Sequence, residues 1–109
     1  VAGNTCVAIA SEGRPLPSIT LAEAIATSDL PAGVLNLLTG SKKELIPWLA
    51  GHMELDGIDI SGVDEKEELE IRIAGSENLK RIHRFSAQGD LSRILAFMES
   101  KTVWHPIGI

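Results

Sequence analysis

The sequence comprises 109 residues, of which 44% are hydrophobic, and it carries a formal net charge of -5. This length corresponds to one domain with a modest core. The negative charge argues against a nucleic-acid or anionic-membrane surface, and no apolar run reaches the roughly 20 residues of a membrane helix. The single cysteine, Cys6, excludes an internal disulfide and favours a reducing compartment such as the cytoplasm.

In chain order, short β-prone segments alternate with helical ones. Strands are predicted at residues 5–10, 34–38, 57–60, 80–86 and 101–104, and helices at residues 15–30, 42–51, 64–75 and 90–100. This alternation predicts right-handed βαβ crossovers. The expected fold is therefore α/β, with a mostly parallel, Rossmann-like sheet flanked by helices in a single domain over residues 1–109.

The segment from Pro31 to Gly40 is the most informative part of the chain. Its apolar run, Val34 to Leu38, is interrupted only by Asn36, which predicts a strand covered on both faces. The Thr-Gly-Ser turn at residues 39–41 then opens a helix. In open α/β sheets, anionic ligands bind where the carboxyl end of a strand meets a helix N-terminus.

Periodicity and capping residues add detail to the helices. Each helix is predicted to bury one apolar face, which comprises Leu45, Trp48 and Leu49 in the second helix and Leu69 and Ile73 in the third. Ser41 is predicted to cap the second helix, in a capping box with Glu44, and Asp64 to cap the third.

Four segments resemble motifs of the NAD(P)-dependent aldehyde dehydrogenase superfamily. LPAGVLNLLTG resembles L-P-x-G-V-x-N-x-x-x-G, and AGNTCVAIASEGRPLPS resembles A-G-N-x-x-x-x-K-P-S-E-x-x-P-x-S. DGIDISGV resembles D-x-I-x-F-T-G-S, and AGSENLKRIHRFSAQGDL resembles A-x-S-x-x-L-K-x-x-x-x-E-L-G-G-K. The resemblance implies the cofactor-binding domain of that family.

The resemblance also implies a set of cofactor-binding residues for NAD or NADP, namely Glu12, Gly40, Ser61 and Gly62. Glu12 matches the family's glutamate that accepts hydrogen bonds from the adenosine ribose, although a plain loop carboxylate is the other interpretation. The family's ribose- or phosphate-binding lysine falls at Ile9, and a serine that contacts the pyrophosphate falls at Val63. Cofactor binding is therefore expected to be weak or lost.

No catalytic residue is expected in this chain. The family's general-base glutamate falls at Phe85, and its Gly-Gly-Lys falls at residues 87–89. Cys6 is the only thiol, and its place in a predicted strand favours inert packing. The three histidines, His52, His83 and His105, lack metal-ligand spacing, so no metal site is expected.

The last segment, FMESKTVWHPIG, resembles the family's C-terminal end, so residues 101–109 resemble its oligomerisation strand. The catalytic domain that would precede this strand is missing, and the sequence opens on Val1, so we expect a fragment of a longer protein. Two functions remain open: a reduced cofactor-binding module, or a non-catalytic structural or oligomerisation module. The residues at positions 9 and 63 favour the second. We expect a homo-oligomer, or docking on the rest of the parent protein, through residues 101–104.

Overall fold

The structure is a computed structural model that describes residues 3–86 and 89–108. Within these residues, four short strands alternate with four helices. The elements are β1 (Cys6–Ile9), α1 (Leu16–Ala26), β2 (Leu35–Leu38), α2 (Lys42–Gly51), β3 (Gly57–Asp59), α3 (Glu65–Gly75), a 3₁₀ turn (Ser76–Asn78), β4 (Arg81–His83) and α4 (Leu91–Leu95). The predicted α/β class and the order of the first eight elements are confirmed.

The strands pair in parallel, but they form two separate sheets. Strand β1 pairs with β2, with Ile9 opposite Leu38, and β3 pairs with β4, with Ile58 opposite Ile82. The expectation of one continuous sheet was wrong for the described residues, where each sheet has two strands. Every strand has only three or four residues, so each makes few ladder hydrogen bonds beyond those to its partner.

The core is centred on Ile60, which follows β3 and is 0% exposed. Around it lie Ile46 and Ala50 of α2 and Ile71 of α3. Helices α2 and α3 pack against each other, and Ile82 of β4 is packed against the same cluster. This small cluster therefore joins β3, β4 and the two helices that flank them.

The predicted buried faces of both helices were wrong by about one residue. In α2, Trp48 is 80% exposed, whereas Ile46 is buried. In α3, Leu69 and Ile73 are 59% and 64% exposed, whereas Ile71 is buried. One residue corresponds to about 100° around a helix, so this error turns the predicted face away from the core.

The sheet formed by β1 and β2 is less covered than predicted. Helix α1 contributes no buried residue, and Asn36 and Leu38 of β2 are exposed, so this strand is not covered on both faces. Cys6 is also exposed rather than packed in a core.

The two helix caps differ from each other. Asp64 caps α3 as predicted, because its Oδ1 accepts from the Glu67 backbone N–H at 2.8 Å and the Glu67 carboxylate accepts from the Asp64 N–H at 3.1 Å. The Ser41 side chain makes no capping hydrogen bond, so the capping box predicted for α2 was wrong.

The C-terminal segment differs most from the prediction. Helix α4 spans only Leu91–Leu95, and residues 101–108 contain no strand. Trp104 is 89% exposed, so it is not part of the core. A strand requires a partner for its backbone groups, and no described strand pairs with this segment. Ile109, the end of the predicted C-terminal strand region, lies outside the described residues.

No helix among residues 3–86 and 89–108 has the length and apolar character needed to cross a membrane.

Glu68 of α3 connects that helix to the segment after β4. Its Oε2 accepts from Arg84 Nε at 3.0 Å, and its Oε1 accepts from Arg72 Nε at 2.8 Å. These hydrogen bonds, that from Arg84 first, lower the pKa of Glu68 below its ordinary value of 4.5. The ionised carboxylate is thus favoured in the folded chain over the unfolded one.

We predict that Glu68→Gln destabilises the chain at neutral pH and that this difference from wild type disappears in acid. The folded-state pKa is the lower one, so the stabilisation is complete above the unfolded value of about 4.5 and is lost as the pH falls through the folded value. Urea unfolding from pH 7 to pH 3 measures this. Glu70→Gln, on the same helix, is the control that should change stability little at any pH. A wild-type to Glu68→Gln difference that stays constant down to pH 3 would contradict the assignment.

Candidate functional site

A cavity lies past the carboxyl ends of β1 and β2. Because these strands are parallel and in register, the loops that follow them meet at one edge of the sheet. The cavity has a volume of about 260 Å³ and is lined by Ser11, Glu12, Pro15, Thr39, Gly40 and Ser41. Two of the four predicted cofactor-binding residues, Glu12 and Gly40, are therefore brought together.

Glu12 holds the beginning of helix α2. Its Oε1 accepts a hydrogen bond from the backbone N–H of Lys42 at 2.6 Å, and Lys42 is the first residue of that helix. A carboxylate at this position satisfies a helix N–H that has no partner within the helix, and it complements the helix dipole. Glu12 is solvent-exposed, and a carboxylate has several acceptor positions, so it can also accept from a ligand.

Gly40 allows the turn between β2 and α2 to stay close to the helix. Its φ is +151°, and a Cβ at this position would lie 3.4 Å from the Leu45 side chain. Side chains rarely tolerate such a backbone conformation, so a larger residue here would strain the turn. Glycine thus keeps this wall of the cavity low.

Ser61 and Gly62 lie in the loop between β3 and α3. The Ser61 backbone N–H donates to Asp59 Oδ1 at 2.8 Å, and its hydroxyl donates to the same oxygen. The Ser61 Oγ also accepts from the Phe85 N–H at 2.9 Å. The hydroxyl of Ser61 is therefore engaged in holding this loop to β3 and to the segment after β4.

Lys42 connects this loop to the cavity, although the sequence analysis gave it no role. Its backbone N–H binds Glu12, and its Nζ donates to the Gly62 carbonyl at 2.6 Å. The sequence did contain a signal, because a cation in the first turn of a helix opposes the helix dipole. Through Lys42, the structure brings the second pair of predicted residues, Ser61 and Gly62, next to the first.

The positions that correspond to catalytic groups do not form an active site. The Phe85 ring stacks with His83 at 5.6 Å between centroids and lies 5.1 Å below the Arg93 guanidinium. Cys6 lies at the amino end of β1, about 10 Å along the strand from the edge that bears the cavity. Of the predicted Gly-Gly-Lys positions, residues 87 and 88 lie outside the described residues.

Two other kinds of site were considered. In the described part of the chain, no group of three or more His, Cys, Asp or Glu side chains is arranged to hold a metal ion. A larger cavity of about 410 Å³ is lined by Arg72, Gly75, Ser76, Leu79, Lys80 and Ile82. It contains none of the predicted site residues.

Comparison with known proteins agrees with the fold and the site. The sequence profile described as "Aldehyde dehydrogenase family" matches residues 1–84. The NADP/NAD-dependent aldehyde dehydrogenase PuuC of Escherichia coli is 36% identical over 81 residues, which cover 74% of this chain and 16% of that protein. An aldehyde dehydrogenase-like protein of Schizosaccharomyces pombe is 28% identical over 110 aligned positions, which cover 98% of this chain and 22% of that protein. No solved structure matches the chain.

These matches show that the chain belongs to the aldehyde dehydrogenase family. It spans about a fifth or less of the length of these two relatives.

Proposed function

We propose that this chain is a cofactor-binding part of an aldehyde dehydrogenase and that it binds the adenosine end of NAD or NADP weakly. The observation that carries the proposal is the placement of Glu12 and Gly40 in one cavity, past the ends of two neighbouring parallel strands. Dinucleotides bind at this edge in open α/β sheets. The family match supports NAD(P) as the cofactor class.

The residues present fit one end of this cofactor. The cavity of about 260 Å³ lies below the roughly 300–1,000 Å³ of most small-molecule pockets, so it takes part of a dinucleotide and not the whole. The Glu12 carboxylate accepts hydrogen bonds from ribose hydroxyls, and Gly40 leaves room beside it. When bound, the nicotinamide of the cofactor supplies a hydride acceptor.

Two substitutions make the binding weak. Ile9 stands where the family resemblance places a lysine, and Val63 stands where it places a serine. Each lost contact to a charged cofactor group removes on the order of 1–3 kcal/mol, which corresponds to about one to two decades of affinity.

We predict that NAD binds with a dissociation constant of about 0.1–10 mM and that Glu12→Ala weakens it at least severalfold. Chemical-shift perturbation or calorimetry measures this. Glu12→Gln keeps an oxygen for the Lys42 N–H and separates loss of the ribose contact from loss of the helix cap. Glu54→Ala, beyond the far end of α2, is the matched control.

Two results would contradict this proposal in different ways. No shift of any resonance at 10 mM NAD would show that the site is lost. A dissociation constant of a few micromolar would show that the residues at positions 9 and 63 do not weaken it.

We further propose that the chain has no aldehyde dehydrogenase activity of its own, as a pseudoenzyme in isolation. The reaction requires a thiolate nucleophile and a base, and Phe85 and the distant Cys6 supply neither at the cavity. We expect no NADH from simple aldehydes and no difference between wild type and Cys6→Ser. NADH formation that Cys6→Ser abolishes would refute this.

We propose that the chain functions in the cytoplasm and associates with a second copy of itself through residues 101–104. The single exposed thiol of Cys6 suits a reducing compartment. Val103 and Trp104 are exposed, and their backbone groups are available to pair with another chain. Docking of the same segment on the rest of a longer parent protein is the alternative.

Light scattering should therefore give a dimer or larger assembly for the intact chain and a monomer for a chain that ends at Ser100. A matched variant, Trp48→Ala, removes an equally exposed tryptophan elsewhere and should leave the assembly intact. A monomeric intact chain at high concentration, unaffected by the truncation, would exclude self-association through this segment.

A further inference from the structure

We propose that the Lys42 ammonium binds a phosphate of the dinucleotide, and this inference rests on the proposed function. The backbone N–H of Lys42 is held by Glu12 in the wall of the cavity. Its Nζ reaches the loop after β3, where it donates to the Gly62 carbonyl. A cation is therefore fixed between the carboxyl ends of β2 and β3, beside the cavity that Glu12 lines.

The charge of this ammonium is not compensated by a carboxylate. In the described part of the chain, Arg72, Arg84 and Arg93 each form an ion pair, whereas the hydrogen bond given for the Lys42 ammonium goes to a neutral carbonyl. An ammonium has three N–H donors, so two remain for a ligand. Lysine binds phosphate as a compact point charge, which makes a phosphate a suitable ligand.

Neither neighbouring helix end provides this positive charge instead. The first N–H of α2 is taken by the Glu12 carboxylate, and the N-terminus of α3 is closed by the reciprocal hydrogen bonds of Asp64 and Glu67. A phosphate at this edge would thus lie near carboxylates already bound to the helices. Lys42 is the side chain in position to offset their negative charge.

The lysine also stands at the same edge as the position where the family resemblance places a cation. Ile9 is opposite Leu38 in the sheet, and Lys42 begins the helix that follows Leu38 after a short turn. We therefore assign to Lys42 the phosphate contact that Ile9 cannot make. This assignment accounts for a lysine at the helix start, where it opposes the dipole.

The test compares three ligands that share the adenosine group and differ in phosphate: NAD, ADP and adenosine. They are titrated into wild type, Lys42→Met, Lys42→Arg and Lys43→Met, with calorimetry or chemical shifts as the readout. We expect Lys42→Met to weaken NAD and ADP by about tenfold or more and to change adenosine less than twofold. Lys42→Arg should retain most of the affinity, and Lys43→Met, the adjacent exposed lysine, should be unchanged.

The outcomes separate this inference from the proposed function. If wild type binds none of the three ligands, both are wrong. If wild type binds NAD and Lys42→Met binds it equally well, only the role of Lys42 is wrong. An equal loss for adenosine would show that Lys42 acts through its bond to Gly62, and it would also overturn the phosphate contact.

A measurement on wild type alone keeps the inference testable if Lys42→Met fails to fold. In the chain with isotope-labelled lysine, ADP should shift the side-chain resonances of Lys42, whereas adenosine should leave them nearly unchanged. The same resonances of Lys43 serve as the internal control. If ADP binds and leaves the Lys42 side chain unshifted, the inference is overturned.

Discussion

The packing of α2 against α3 over Ile60 is the interaction on which the rest of the structure depends. Complete burial of an isoleucine side chain contributes about 1.5–3 kcal/mol, and Ile60 is surrounded by Ile46, Ala50 and Ile71. This contact fixes the start of α2 relative to the end of β3. As a consequence, the Lys42 ammonium reaches Gly62 and both halves of the candidate site lie at one edge.

The sequence was sufficient for the features that local chemistry determines. Alternating segments predicted the order of strands and helices, and Asp64 predicted the start of α3 because capping depends on residues three apart. The meeting of Glu12 and Gly40 also followed, since parallel neighbours end at the same edge.

Features that depend on tertiary distance were not predictable in this way. Helix α3 carries apolar residues at positions 69, 71 and 73, and only its contact with α2 decides that Ile71 is the buried one. The role of Lys42 depends on two turns that are 20 residues apart. A strand at residues 101–104 would need a partner that the described chain does not contain. In each case, the missing information is which element lies opposite.

The central claim is that the core around Ile60 holds the two halves of the candidate site together. Native-state hydrogen exchange on Ile60→Ala tests it most directly, at the Lys42 amide bound to Glu12 and the Arg81 amide bound to Asp56. The account predicts that both amides lose protection together, by about 2–4 kcal/mol if they exchange through global unfolding, whereas the exposed-site variant Ile73→Ala preserves both. Loss at Arg81 with unchanged protection at Lys42 would show that the halves are independent and would contradict the account.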